Sequence, residues 1–329
     1  MRTNEKSYFE VAAVSQSFLK KLASSPYFAK QMLDNEKENR KGRRKAFDFG
    51  SALDMMVTQP DLDVRKEFYI VKTPRPSGKL HDLLVYIESN DLPYTKESID
   101  IAIDKVGYGG KNWKKETIES GVKPLKDYIS ELEEAEDYEY ILTEEQLEDV
   151  EFAFNQLKND VFASKWLFGD NARYQVVVIS DLFDVKCKGM FDVLVIDKEL
   201  KVFWIVDLKS MEGNPLNFSN SFFKFRYDIQ ASFYAALAAT LVELNEYTFG
   251  GFNFVVVSSN RKGTPIVYKT PEKVLQFGYL GGTYKGAVYR GWKSLLEEYI
   301  TREYEDEWEF PLNYKKDGYS IIDDSNINI

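Results

Sequence analysis

The strongest constraint on the fold lies between residues 174 and 208. Three stretches there, 174–180, 185–196 and 201–208, are rich in β-branched and aromatic residues and are separated by Asp-containing turns. They read as a three-stranded antiparallel meander. A helix over about 221–243, a strand at 252–258, a shorter strand at 265–270 and a helix from about 271 to 300 follow. That order predicts an α/β fold in which a mixed sheet is flanked by helices.

The chain before the meander reads as helical. Ser15 is placed to cap a helix whose apolar stripe is Phe18, Leu19 and Leu22. Pro26 suits the first position of a second helix, with Phe28, Met32 and Leu33 at helical spacing, and a third helix is expected over about 46–57. From 73 to 139 the sequence is charged and broken by Pro74, Pro76, Pro93, Pro124 and the cluster Gly107, Gly109 and Gly110, which predicts an insertion of short helices and loops. Thr143 to Gln146 forms a capping box for a helix carrying Leu147, Val150, Phe154 and Leu157. The expected division is therefore a helical part at 1–72 contributing to the active site, an insertion at 73–140 and a core at 141–329, packed as one compact unit.

Composition narrows the chemistry. Acidic residues outnumber basic ones by 53 to 43, a formal charge of −10, so the molecule's overall field repels phosphate and any nucleic-acid site must be local. The run Arg40, Lys41, Arg43, Arg44 and Lys45 is the candidate for such a site. The one histidine, His81, rules out a His-rich zinc centre, and the one cysteine, Cys187, cannot make an internal disulfide or hold an iron–sulfur cluster. Gly107-Tyr-Gly-Gly-Lys111 lacks the spacing of a phosphate-binding P-loop, and no Walker motif supports an ATP-driven role. With neither a secretory h-region nor a membrane-length apolar run, an intracellular location without membrane partners is expected. Catalysis must then rest on carboxylates, lysine and metal.

The third stretch ends in Val206-Asp207-Leu208-Lys209, which puts the Asp207 and Lys209 side chains on one strand face. With a turn centred on Lys198 and Glu199, antiparallel partners sum to 397, so Asp192 falls opposite Ile205 and diagonal to Asp207 on that same face. Such a diagonal spans roughly 7–8 Å between Cα atoms, within the reach of two carboxylates gripping one divalent cation. Carboxylates among Val, Ile and Phe are costly to hold as charges without one. A lysine beside them can orient an attacking water, the arrangement needed for metal-assisted phosphodiester hydrolysis. Gln230 and Tyr234, four residues apart on the following helix, share a face and can hydrogen-bond a phosphate or the water network.

Gly189-Met-Phe-Asp192, Asp207-Leu-Lys209-Ser and Tyr227-Asp-Ile-Gln230-Ala-x-Phe-Tyr234, in that order, resemble the PD-(D/E)XK nuclease superfamily, and within it the RecE-like and RecB-like exonucleases of phage type. The likeness covers about 174–241. It extends more weakly to Ser15-Gln-Ser17-x-Leu19, Ser25-Pro26 and Phe49-Gly50-Ser-Ala-Leu53. The resemblance implies that Asp192, Asp207 and the Leu208 carbonyl ligate one or two Mg²⁺ or Mn²⁺ ions, that Lys209 is catalytic, and that Gln230 and Tyr234 form the family's Gln-x-x-x-Tyr element. Asp54 stands where relatives usually carry a histidine ligand and is expected to serve as an oxygen ligand to the metal there, and Gln175 stands where they often carry a glutamate.

The activity so implied is end-dependent hydrolysis of linear double-stranded DNA for recombination or repair, in the cytoplasm of a bacterial host if phage or prophage encoded. The resemblance also implies a homo-oligomer and a single-strand annealing protein as partner. An endonuclease, an RNA-directed nuclease and a catalytically silent DNA-binding module remain as alternatives.

Overall fold

The computed structural model describes residues 8–35, 49–109, 112–135, 138, 140–310 and 317–318. The chain divides into two compact units, one of Met1–Arg43 with Asn155–Ile329 and one of Arg44–Phe154. No helix among the described residues is long and apolar enough to cross a membrane.

In the first unit a two-residue strand, β1 (Val14–Ser15), runs directly into helix α1 (Gln16–Ser24). The Ser15 hydroxyl accepts from the Phe18 N–H at 3.2 Å, and Phe18, Leu19 and Leu22 are buried as the stripe predicts. Helix α2 (Pro26–Asn35) starts at the proline. The meander then follows as β2 (Ala172–Leu182), β3 (Val185–Asp197) and β4 (Val202–Met211). Phe183 and Asp184, both at positive φ, make the two-residue turn between β2 and β3, a backbone whose twist matches the flanking strands. Helix α3 (Tyr227–Ala238) crosses to β5 (Thr248–Ser258), which lies parallel to β4, and β6 (Ile266–Thr270) returns antiparallel. The sheet order is β2-β3-β4-β5-β6, with β1 alongside β3. This is the expected mixed α/β sheet, and its core runs from Phe18 and Leu19 through Phe191, Ile205, Phe233 and Phe254 to Trp292.

Three sequence expectations need correction. The β3–β4 ladder pairs Val193 with Val206 and Asp197 with Val202, so partners sum to 399 rather than 397. The turn holds four residues because the Asp197 carboxylate accepts from the Glu199 and Leu200 N–H groups at 3.0 and 2.8 Å, and Lys201 takes a left-handed backbone. A shift of two preserves the face of every side chain, so the inferred common face survives while the diagonal becomes a direct pairing. The helix expected over 221–243 is instead broken at Arg226, whose φ of 54° stops the turn of Phe218–Phe222 from continuing into α3. Its guanidinium clamps the buried Asp228 carboxylate through two bonds of 3.1 Å. The helix expected over 271–300 is two helices, α4 (Glu272–Leu280) and α5 (Trp292–Glu305), separated by the hairpin β7 (Gly281–Tyr284) and β8 (Ala287–Arg290). Gly281 has φ of 80°, and a Cβ there would meet the Tyr289 carbonyl, so this position marks the break.

The second unit is more ordered than its charged sequence suggests. Helices Lys79–Ser89, Lys96–Val106, Lys115–Gly121 and Lys123–Glu134 stand with a parallel pair of short strands, Phe68–Val71 and Tyr140–Thr143. They enclose a core of Val71, Leu83, Ile87, Ile99, Leu125, Ile129 and Ile141. The capping box at Thr143 is reciprocal, with the Thr143 N–H donating to Gln146 Oε1 at 3.0 Å and the Gln146 N–H to Thr143 Oγ1 at 3.1 Å.

Candidate active site

The site forms where two ladders on one edge of β3 stop. The β3–β4 ladder ends at Val193 and Val206, while β1 takes the same edge at Cys187 and Lys188. β4 stays bonded to β5 as far as Met211 and Ser258, so the opening is on one side only. Continuing the registers of β3 with its two neighbours sets Asp207 on one side of Asp192 and Gln175 on the other. Gln175 is buried and left-handed, with φ of 48°, where the β2–β3 ladder skips a pair.

The lost ladder bond is replaced by a side chain. Asp192 Oδ2 accepts from the Leu208 N–H at 2.8 Å, fixing its carboxylate beside the main chain that carries Asp207 and Lys209. Asp207 is 2% exposed, and a carboxylate so buried demands compensation. Lys209 Nζ lies 2.5 Å from Oδ2, and Gln230 Nε2 donates to Oδ1 at 2.5 Å. Burial opposes the Lys209 charge, but Asp207 and then Asp192 outweigh it and hold the ammonium above the ordinary lysine range. The ammonium also stands 5.5 Å from the Tyr227 ring centre.

Helix α3 supplies Gln230 because almost every face of it is buried. It approaches β3 at Gly189, where a Cβ would come within 2.7 Å of Leu237 Cδ1 and 3.1 Å of Tyr234 Cε1. The Tyr234 ring packs 5.1 Å from Phe191. Burial first, then Tyr8 and the carboxylates of Asp207 and Asp192, push its hydroxyl well above the usual tyrosine value, so it stays protonated.

The structure thus joins Asp192, Asp207, Lys209 and Gln230, with Tyr234 on the same helix. Asp54 lies in the other unit, on the helix Phe49–Thr58. Arg40, Lys41, Arg43, Arg44 and Lys45 lie outside the described residues. Lys20 was not singled out by sequence. Its Nζ reaches within 3.5 Å of Gln230 Oε1 and 5.2 Å of the Tyr227 ring centre. Burial first and the Lys209 charge next lower its pKa to about 7, with Asp207 and Asp228 opposing. No periodicity could have revealed it, since the strand that delivers its helix is two residues long.

Two carboxylates brought together by register, with the Leu208 main chain tied to one of them, form an oxygen-donor set suited to a hard divalent cation. Mg²⁺ keeps several waters and takes one or two carboxylates from a protein. Among the described residues no group of three or more His, Cys, Asp or Glu side chains is placed to hold a metal.

The mixed sheet and the Asp192, Asp207 and Lys209 arrangement define the PD-(D/E)XK class, the superfamily the motifs resemble. The family described as a PDDEXK-like domain of unknown function (DUF3799) matches residues 15–281, and the chain belongs to it. A comparison with curated proteins found no match. Among solved structures, the chain is similar to a candidate exonuclease from Eubacterium rectale at 14% identity and a TM-score of 0.41, covering 83% of this chain and 77% of that one. It is also similar to SSO0001 at 12% identity and a TM-score of 0.23, covering 79% and 81%.

Proposed function

We propose that this protein is a metal-dependent deoxyribonuclease that digests linear double-stranded DNA from its ends. The observation that carries the reading is the convergence on Asp207 of Lys209 from the same strand and Gln230 from α3, with Asp192 beside it. Asp192, Asp207 and the Leu208 carbonyl would hold Mg²⁺ or Mn²⁺. Such an ion supplies Lewis acidity at the phosphate and makes hydroxide accessible near neutral pH.

The protein's own groups do the remainder. Lys209, kept charged by two carboxylates, orients the attacking water and neutralises charge on the phosphate. Gln230 keeps Asp207 from turning away, and the Asp192 bond to the Leu208 N–H fixes the second carboxylate. The acidic net charge requires a local basic surface to hold DNA, and the run from Arg40 to Lys45 is the proposed one. The RecE-like resemblance supports end dependence, a role in recombination or repair in a phage or prophage setting, a homo-oligomer and an annealing partner.

The test is nucleotide release from end-labelled linear duplex with Mg²⁺, with EDTA and with Lys209→Ala, beside a closed circular duplex. Release from linear DNA alone, abolished by EDTA and reduced on the order of 10²–10⁴-fold by Lys209→Ala, is expected. Equal inactivity of wild type and variant on every DNA that they still bind would leave a binding module instead. Cutting of the circle would make the enzyme an endonuclease.

A further inference from the structure

Lys20 is a charged group beside this site that the proposed chemistry does not use. Its place follows from the strand geometry. β1 seals the β3 edge just before the opening, pairing Ser15 with Lys188, and α1 begins at the next residue. The buried stripe of Phe18, Leu19 and Leu22 anchors that helix, and the Lys20 ammonium then reaches the Gln230 carbonyl oxygen.

From this geometry we infer that Lys20 is a positioning residue: its ammonium holds the Gln230 side-chain amide so that Nε2, and not Oε1, faces Asp207. An ammonium only donates, an ionised carboxylate only accepts, and a primary amide does both at opposite ends. In the order Lys20 to Gln230 to Asp207 a single amide orientation satisfies both neighbours. The flipped amide sets donor against donor and acceptor against acceptor, so the assignment rests on chemistry at both ends.

The 3.5 Å separation leaves room for the contact to tighten when substrate fills the site. Lys20 and Lys209 stand 5.2 and 5.5 Å from the centre of the same Tyr227 ring, so two ammoniums are held close together. That closeness and burial disfavour the Lys20 charge, so the ammonium form that orients the amide prevails below about pH 7. Losing Lys20 leaves the carbonyl end of the amide unheld, so the remaining bond to Asp207 can swing with the side chain.

The rate measurement rests on the nuclease reading, and the spectroscopic one does not. In full-length protein labelled with ¹⁵N-glutamine, the Gln230 amide pair is assigned by its disappearance in Gln230→Ala. Expected are a displaced, slowly exchanging pair in the wild type, a shift toward the free-glutamine position with faster exchange in Lys20→Met, and recovery in Lys20→Arg. Lys20→Gln replaces the methionine variant if that protein does not fold. In nucleotide release, Lys20→Met should lower kcat about 10- to 100-fold, the worth of a hydrogen bond to a charged group, with KM unchanged. The double variant with Gln230→Ala should lose no more than Gln230→Ala alone. An amide pair unmoved by loss of Lys20, or losses that multiply in the double variant, would overturn the assignment. A wild type inactive on all DNA sinks the nuclease reading alone, because the amide signals still decide Lys20.

Discussion

The β3–β4 hairpin is two different structures along one pair of strands. From Val193 to Asp197 it is a closed ladder, and Val193, Leu194, Ile205 and Val206 within it are wholly buried. Beyond that point backbone bonding across β3 and β4 gives way to side chains, as Asp192 takes the Leu208 N–H and Lys209 and Gln230 take Asp207. β5 keeps β4 in place through both halves. A carboxylate pair can therefore be set into a sheet without loosening it, provided the ladder opens on one edge while the other holds.

The largest expected effect comes from removing the cation that the open half carries itself. Lys209→Ala leaves Asp207 buried beside Asp192 without its ion-pair partner, at a cost of about 3–5 kcal/mol in metal-free protein. Added Mg²⁺ should restore much of that, so the unfolding midpoint of the variant should rise with Mg²⁺ more steeply than the wild type's. Midpoints that Mg²⁺ leaves unmoved in both proteins would mean that the carboxylates do not meet the ion.

Leu194→Ala tests the closed half. It deletes a fully buried side chain paired with Ile205 and should cost about 2–5 kcal/mol in chemical denaturation. The specific activity of the folded fraction should stay at the wild-type level, because the open half is held from β5. A parallel fall in kcat would show that the two halves are not separable.

Asp192 separates charge from hydrogen bonding. Asp192→Asn can still accept from the Leu208 N–H and should change stability little while abolishing metal-dependent release. Asp192→Ala orphans that N–H and should cost a further ~1–3 kcal/mol. Denaturation curves of the two variants, measured without metal, give the difference directly.

Most of the open half could be read from the residues, for identifiable reasons. Strand alternation put Asp207 and Lys209 together, and a register error of two left Asp192 on the correct face, where an error of one would have reversed it. Helical spacing placed Gln230 and Tyr234 on one side of α3. The break at Arg226 escaped because it depends on a left-handed residue held by an ion pair to Asp228, and neither leaves a periodic trace. The hairpin at 281–290 was less hidden, since Gly281, Gly282 and Gly286 punctuate it, but an apolar pattern continuing into Trp292 and Leu295 masked them. The contact of Lys20 with Gln230, 210 residues away, and the distant pairing of Ser15 with Lys188 join parts of the chain that no local pattern links.

The smallest effect tests the seal that ends the open stretch. Cys187 lies on β3 opposite Val14, fully buried, and burial first, with a minor push from Asp181, raises its thiol from about 9 to about 12 against a weaker backbone hydrogen bond from Leu182. Only the thiolate attacks a disulfide reagent, so native protein at pH 8 should react far more slowly than protein in denaturant. Because the folded value is the raised one, the stability linked to this group is complete below about pH 9 and is lost as pH climbs toward 12. Replacing Val14 by glycine should speed thiol labelling while leaving Leu194 and Ile205 packed. If labelling in native protein is already as fast as in denaturant, β1 does not seal the edge, and the route that brings α1 and Lys20 to the site fails with it.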